Sequence, residues 1–170
     1  MKPLFFILAL LFTTQSCATS SGSSRVLTAS IKPAPGWKIY GDNLNPRYEC
    51  EDERKIFGVF AFTEHFSLTE PDMYYPDINT ADDFAKFVYD AVKDATTNKA
   101  VFSELSKTTV NGMDAMEFTY TMPGPDGLKL TRVFISRGSI VYGVQYGALE
   151  TDYDLLRNDF QSMLDSYKLK

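Results

Sequence analysis

The most regular pattern in the chain lies near its centre. Between residues 113 and 122, Met116, Phe118, Tyr120 and Met122 alternate with Glu117, Thr119 and Thr121, the two-residue period of a strand that buries one face. Asn111-Gly112 just before it is the preferred pair for a two-residue hairpin turn, because both residues tolerate positive φ. Pro123-Gly124-Pro125-Asp126-Gly127 predicts the next reversal, and the chain returns with Leu130, Arg132 and Phe134 on one side and Thr131, Val133 and Ile135 on the other. Arg137-Gly138-Ser139 turns again into a run in which Tyr142, Val144 and Tyr146 share a face. Connections this short make antiparallel neighbours, so residues 102–148 read as a meander.

On either side the period changes. Thr80-Ala81-Asp82-Asp83 predicts a helix start, with Thr80 as N-cap and acids in the first turn to complement the helix dipole. Phe84, Val88, Ala91, Val92 and Ala95 form its apolar stripe, while Asp82, Lys86, Asp90, Lys93 and Asp94 face water. Residues 151–167 predict a second helix, capped by Thr151 and striped by Leu156, Phe160, Met163, Leu164 and Tyr167. Residues 55–65 are almost continuously apolar, as in a strand covered on both faces, and Gly58 marks a bulge or a close backbone approach. Pro33, Pro35 and Gly36 predict a turn-rich opening segment that places Trp37, the only tryptophan, at the edge of the core. Residues 67–79 are rich in Pro, Asp and Tyr without a period and read as a long surface loop, a common carrier of function. A sheet that is apolar on both faces needs cover on both. The fold class is therefore α+β: an antiparallel meander flanked by two main helices.

The first residues concern address rather than fold. Leu4 to Phe12 is an apolar run of signal-peptide length, too short to span a bilayer as a helix. Thr14-Gln15-Ser16-Cys17 resembles the lipobox of bacterial lipoproteins, in which the cysteine becomes the lipidated first residue; Thr14 and Gln15 depart from the usual leucine and small residue. Residues 1–16 are read as the signal peptide, 17–26 as the lipidated cysteine with a Ser/Gly-rich tether, and 27–170 as a single domain. Cleavage after Ala18 would discard Cys17, and ordinary cleavage after Ser16 would leave it as a thiol, so a secreted or soluble periplasmic protein is the alternative. Ala18 after the cysteine resembles the outer-membrane sorting pattern of enterobacterial lipoproteins. The second cysteine, Cys50, lies among Glu49, Glu51 and Asp52, whose carboxylates disfavour a thiolate, and reads as a structural thiol.

Charge narrows the partners. The chain carries a formal net charge of −5, and loss of Lys2 with the leader leaves about −6. No basic cluster is available to release counterions from a phosphate backbone, which argues against nucleic acid. Anionic head groups would repel the domain as a whole, so membrane attachment rests on the lipid at Cys17.

The Pro35-Gly36-Trp37 opening, the helix before a hairpin-rich meander turning at Asn111-Gly112, and a terminal segment ending Asp165-Ser166-Tyr167 together resemble the PsbP-like and DcrB-like superfamily. The resemblance covers roughly residues 27–169. It implies a PsbP-like α/β/α sandwich and a non-catalytic accessory or binding module. It transfers no site residue, because no site motif of the photosystem proteins is matched position by position.

Chemistry has little to work with. His65 is the only histidine, and no G-x-S-x-G elbow, HExxH, CxxC or phosphate-binding glycine loop occurs. No cofactor, metal site or catalytic residue is assigned. The acids Glu49, Glu51, Asp52 and Glu53, and Glu70, Asp72 and Asp77, could attract a hard cation but lack the spacing of an EF-hand loop, and read as solvated acidic faces. The expected contact surface is the 67–79 loop, with Asp72, Tyr74, Tyr75 and Asp77 as its binding residues and the two tyrosines as aromatic anchors for an envelope protein or small ligand. The rival reading is a small exported hydrolase using carboxylates or His65.

Overall fold

In a computed structural model the residues described are 29–40, 46–51, 56–69, 78–97, 99–124 and 127–170. The alternation at the centre becomes three long strands, β7 (Met113–Met122), β8 (Leu128–Arg137) and β9 (Ile140–Leu149), paired antiparallel in sequence order. Asn111 and Gly112 take φ values of 49° and 78°, the left-handed pair that joins β6 (Ser106–Val110) to β7. The short β5 (Val101–Phe102) pairs with the far end of β7. On the other side, β9 pairs with β4 (Phe57–Ser67), β4 with β3 (Arg47–Glu51), and β3 with β2 (Trp37–Tyr40). The result is an eight-stranded antiparallel sheet in the order β2-β3-β4-β9-β8-β7-β5, with β6 also on β7.

The near-continuous apolar run of β4 has a geometric explanation. Its register with β9 shifts between Phe62 and His65, so Phe60 and Phe62 join one core and Phe66 the other. The irregularity is there and not at Gly58, which is instead a close approach: a Cβ on it would lie 2.5 Å from Leu156 Cδ1 and 3.1 Å from Trp37. Trp37 is buried against these groups and donates from Nε1 to Asp159 Oδ2 at 2.9 Å. Gly36 has φ 85° and Trp37 N donates to Ala34 O, which makes Ala34–Trp37 the turn that Pro35-Gly36 predicts.

One face of the sheet is covered by α1 (Ala81–Ala95). Thr80 accepts from Asp83 N at 3.1 Å and Asp83 Oδ2 accepts from Thr80 N at 2.9 Å, a complete capping box. Ala85, Val88 and Val92 are the buried positions, packed over Met116, Phe118, Leu130 and Phe134. Ala91 and Ala95, expected in the stripe, are exposed. Ala91 lies about 100° around the helix from Val92, at the edge of the buried arc.

The opposite face corrects the predicted terminal helix. Residues 151–167 form α2 (Glu150–Tyr153) and α3 (Arg157–Asp165), and the chain closes with β10 (Lys168–Leu169) paired to β1 (Ala29–Ser30). Leu155 N and Leu156 N both donate to Asp152 O, which tightens the chain at the end of α2. Thr151 is not the cap; Leu149 precedes α2 and makes no side-chain cap bond. Tyr153, three residues before Leu156, is also buried, so the apolar spacing Tyr153, Leu156, Phe160 continues across that break and periodicity alone could not reveal it. Leu156, Phe160, Met163, Leu164 and Tyr167 remain inward and bury Phe60, Val133, Ile135, Tyr142 and Val144. The architecture is the expected α+β sandwich, with three helices among the described residues in place of two.

Candidate functional site

Asp72, Tyr74, Tyr75 and Asp77 lie outside the described residues, as do Cys17, the leader and the tether. What can be placed are the two stems of the 67–79 loop. Leu68 N donates to Ser139 O at 2.7 Å, tying the outgoing stem to the β8–β9 turn. The returning stem is buried at Ile78 and enters the α1 capping box, where Asn79 N also donates to Asp83 Oδ2. Donation from Thr80 and Asn79 lowers the Asp83 pKa below the ordinary carboxylate value.

Beside these stems runs a groove of about 230 Å³. Its walls are the first turn of α1 (Ala81, Asp82), the β6–β7 hairpin (Lys107, Thr108, Asp114, Met116) and the end of β8 (Phe134, Ser136). Lys107 Nζ stands 3.2 Å from Asp82 Oδ2 across it. Both partners are well exposed, so this ion pair contributes little to stability and both charges remain available to a ligand. The lining mixes the apolar side chains of Met116 and Phe134 with hydroxyl, carboxylate and ammonium groups.

Two buried polar arrangements were not foreseen from the sequence. On the α1 side of the sheet, Arg132 and Gln145 are cross-strand neighbours and only 6% and 9% exposed. Burial lowers the Arg132 pKa, and the Tyr120 hydroxyl, which takes a hydrogen bond from the guanidinium, opposes that shift. On the α2–α3 side, the Thr131 hydroxyl is bonded to Thr119 Oγ1 at 2.7 Å and to the Tyr153 hydroxyl. Tyr146 stacks on Phe60 beside them. Burial, then the neighbouring Tyr153 and Glu117, raise the Tyr146 pKa well above the tyrosine range; burial also raises those of Tyr153 and Glu117. Lys129 Nζ sits 4.5 Å from the Tyr153 ring centre. The cross-strand pairings Thr119↔Thr131 and Thr131↔Tyr146 would have been the only signal, and they require the register.

The remaining candidates fall elsewhere. His65 is exposed, its ring 6.5 Å from that of Tyr142, and no hydrogen bond or ion pair joins it to a carboxylate among the described residues. Cys50 is buried in the α2–α3 side core. Glu49 is held 2.7 Å from Arg47 Nη2, while Asp52, Glu53 and Glu70 lie outside the described residues. Among the described residues no group of three His, Cys, Asp or Glu side chains is placed to hold a metal ion, and no helix is long and apolar enough to cross a membrane.

No protein-family model and no curated protein matches the chain in sequence. Solved structures do match in fold. LpqN, involved in cell envelope biogenesis of Mycobacterium tuberculosis, superposes with a TM-score of 0.56 at 11% identity, over 88% of this chain and 87% of that one. A protein of Bacteroides thetaiotaomicron superposes with a TM-score of 0.52 at 10% identity over 84% of this chain, which spans 45% of its length. Cyanobacterial PsbP (CyanoP) of Synechocystis matches at 0.48 and 12% identity, over 89% of this chain and 98% of that one. At these identities the likeness is one of fold.

Proposed function

We propose that the protein is a non-catalytic accessory lipoprotein of a bacterial cell envelope. In this reading residues 1–16 are removed, Cys17 carries the lipid, residues 17–26 form the tether, and the 27–170 domain faces the periplasm from the outer membrane. The domain binds an envelope protein or a small ligand through the 67–79 loop, with Asp72, Tyr74, Tyr75 and Asp77 as contact residues, and through the groove at the base of that loop. The observation that carries the binding reading is the groove itself: Asp82, Lys107, Asp114 and Ser136 offer recognition chemistry there, while His65 stands without a carboxylate partner among the described residues. The envelope setting draws support from the fold shared with LpqN.

Photo-crosslinking in native envelopes tests this reading. A crosslinkable residue at position 74, 75 or 107 is expected to capture one discrete species, and the same probe at Asp94 on the exposed side of α1 is expected to capture none. Equal capture at all four positions would refute the site. Turnover of an ester or glycoside that disappears in His65→Ala would refute the non-catalytic reading in favour of the hydrolase.

A further inference from the structure

The protein is acidic as a whole, with a formal net charge of −5, but its charges are not evenly spread. Strand β10 pairs with β1, so the chain's last residues lie beside the point where the described domain begins. Lys168 lies opposite Ser30, with Lys170 just beyond. Lys32 is fixed at the same place, because its N–H donates to Ser166 Oγ at 2.7 Å. Arg137, at the end of β8, donates from Nη1 to Leu169 O at 3.4 Å. All four side chains are exposed, and none forms an ion pair among the described residues. Among the described residues the acids placed here are Asp165, engaged by Gln161 Nε2 at 2.7 Å, and Asp114 on the hairpin whose Asn111 Nδ2 donates to Tyr167 O at 3.1 Å; Glu70, Asp72 and Asp77 lie outside the described residues. By contrast α1 carries Asp82, Asp83, Asp90 and Asp94 against Lys86 and Lys93.

We infer that this cationic end, formed by Lys32, Arg137, Lys168 and Lys170, is a docking surface for anionic phospholipid head groups. The inference rests on the proposed anchor at Cys17 for its physiological weight. Eleven residues separate Cys17 from Ala29, a chain that spans at most about 40 Å. An anchor within that reach holds the β1–β10 end against the bilayer at high effective concentration, so a weak patch suffices. Basic residues near an anionic surface are attracted to it, whereas the acidic α1 side is repelled. The docked orientation turns the β1–β10 end to the lipid and the acidic side toward the aqueous phase.

The test separates the patch from the anchor by using the full chain with Cys17→Ala, so that no lipid is attached. Partition is measured on phosphatidylcholine vesicles and on vesicles of equal parts phosphatidylcholine and phosphatidylglycerol. The triple variant Lys32→Glu, Lys168→Glu, Lys170→Glu is compared with Lys86→Glu, Lys93→Glu, Lys99→Glu, which changes net charge equally at exposed sites elsewhere. Binding through the leader is common to all forms and cancels in the comparison. The expected result is a preference for phosphatidylglycerol that falls roughly tenfold in the first variant and much less in the second, and that fades with salt. Equal losses in both variants, or no preference in the parent, would overturn the inference. Intact mass of the native protein reports the anchor independently, so an unlipidated Cys17 beside a patch-dependent preference would remove the anchor and leave the docking surface standing.

Discussion

At the scale of single residues, two glycines separate conformational from steric demand. Gly138 has φ 61° with open space around it, so Gly138→Ala meets only backbone strain, about 1 kcal/mol. Gly147 lies beneath the backbone of β8: a Cβ there would stand 2.6 Å from Lys129 O and 2.7 Å from Leu130 Cδ2. Gly147→Ala is expected to cost more, about 2–3 kcal/mol, because the obstructing atoms include main chain. Urea denaturation of the two variants checks the order. Tyr167 supplies a second case: it is fully buried, and its hydroxyl has no hydrogen-bond partner among the described residues. Tyr167→Phe is therefore expected to leave stability unchanged or raise it by about 1 kcal/mol, and a clear loss would show that the hydroxyl is satisfied.

The buried phenols also set the alkaline limit. Burial raises the pKa of Tyr146, Tyr153 and Tyr167 in the folded state. Above about pH 10 an unfolded chain ionises these groups while the folded one keeps its protons, so their contribution is complete below that pH and is lost as pH rises. Tyrosinate absorbance from these residues should appear together with loss of near-UV circular dichroism, not before it. The burial of Tyr167 was legible from the apolar stripe it shares with Phe160 and Leu164, whereas the polar neighbours of Tyr146, which come from β7, β8 and α2, were not.

At the scale of elements, local signals and observed structure agree best where the determinant is local. The Thr80-to-Asp83 spacing, the Asn111-Gly112 turn and the alternation in β7 each specify geometry within a few residues, and each is found. Thr80→Ala should cost about 1 kcal/mol by removing the cap. Because the box also fixes the returning stem of the 67–79 loop, the variant should increase protease sensitivity in that loop before global unfolding, which limited proteolysis would reveal. The elements that escaped prediction have distant causes. The break between α2 and α3 preserves the apolar spacing, and β10 exists only because β1 lies beside it, more than a hundred residues earlier in the chain. Of the candidate site, composition proposes the 67–79 segment, whose residues 70–77 lie outside the described residues, whereas the groove beside its ends needed the β6–β7 hairpin to fold against the start of α1.

At the scale of the whole molecule, a sheet covered on both faces leaves its ends and edges as the surfaces with chemistry to offer. The groove and loop stems gather where α1 begins, and the cations gather where β1 meets β10. Tyr74→Ala with Tyr75→Ala should weaken partner capture at least tenfold without changing thermal stability, since a central aromatic anchor is commonly worth 2 kcal/mol or more. Retained affinity would move the contact surface away from the loop. Partner capture in this form belongs to a protein held at the envelope. The most direct measurement is therefore the intact mass of the mature protein from its native membrane, with fractionation of the Cys17→Ala variant beside it. The expected result is a chain beginning at Cys17 with diacylglyceryl and acyl groups attached, and release or mislocalisation of the variant. An unmodified chain beginning at Thr19 would contradict it.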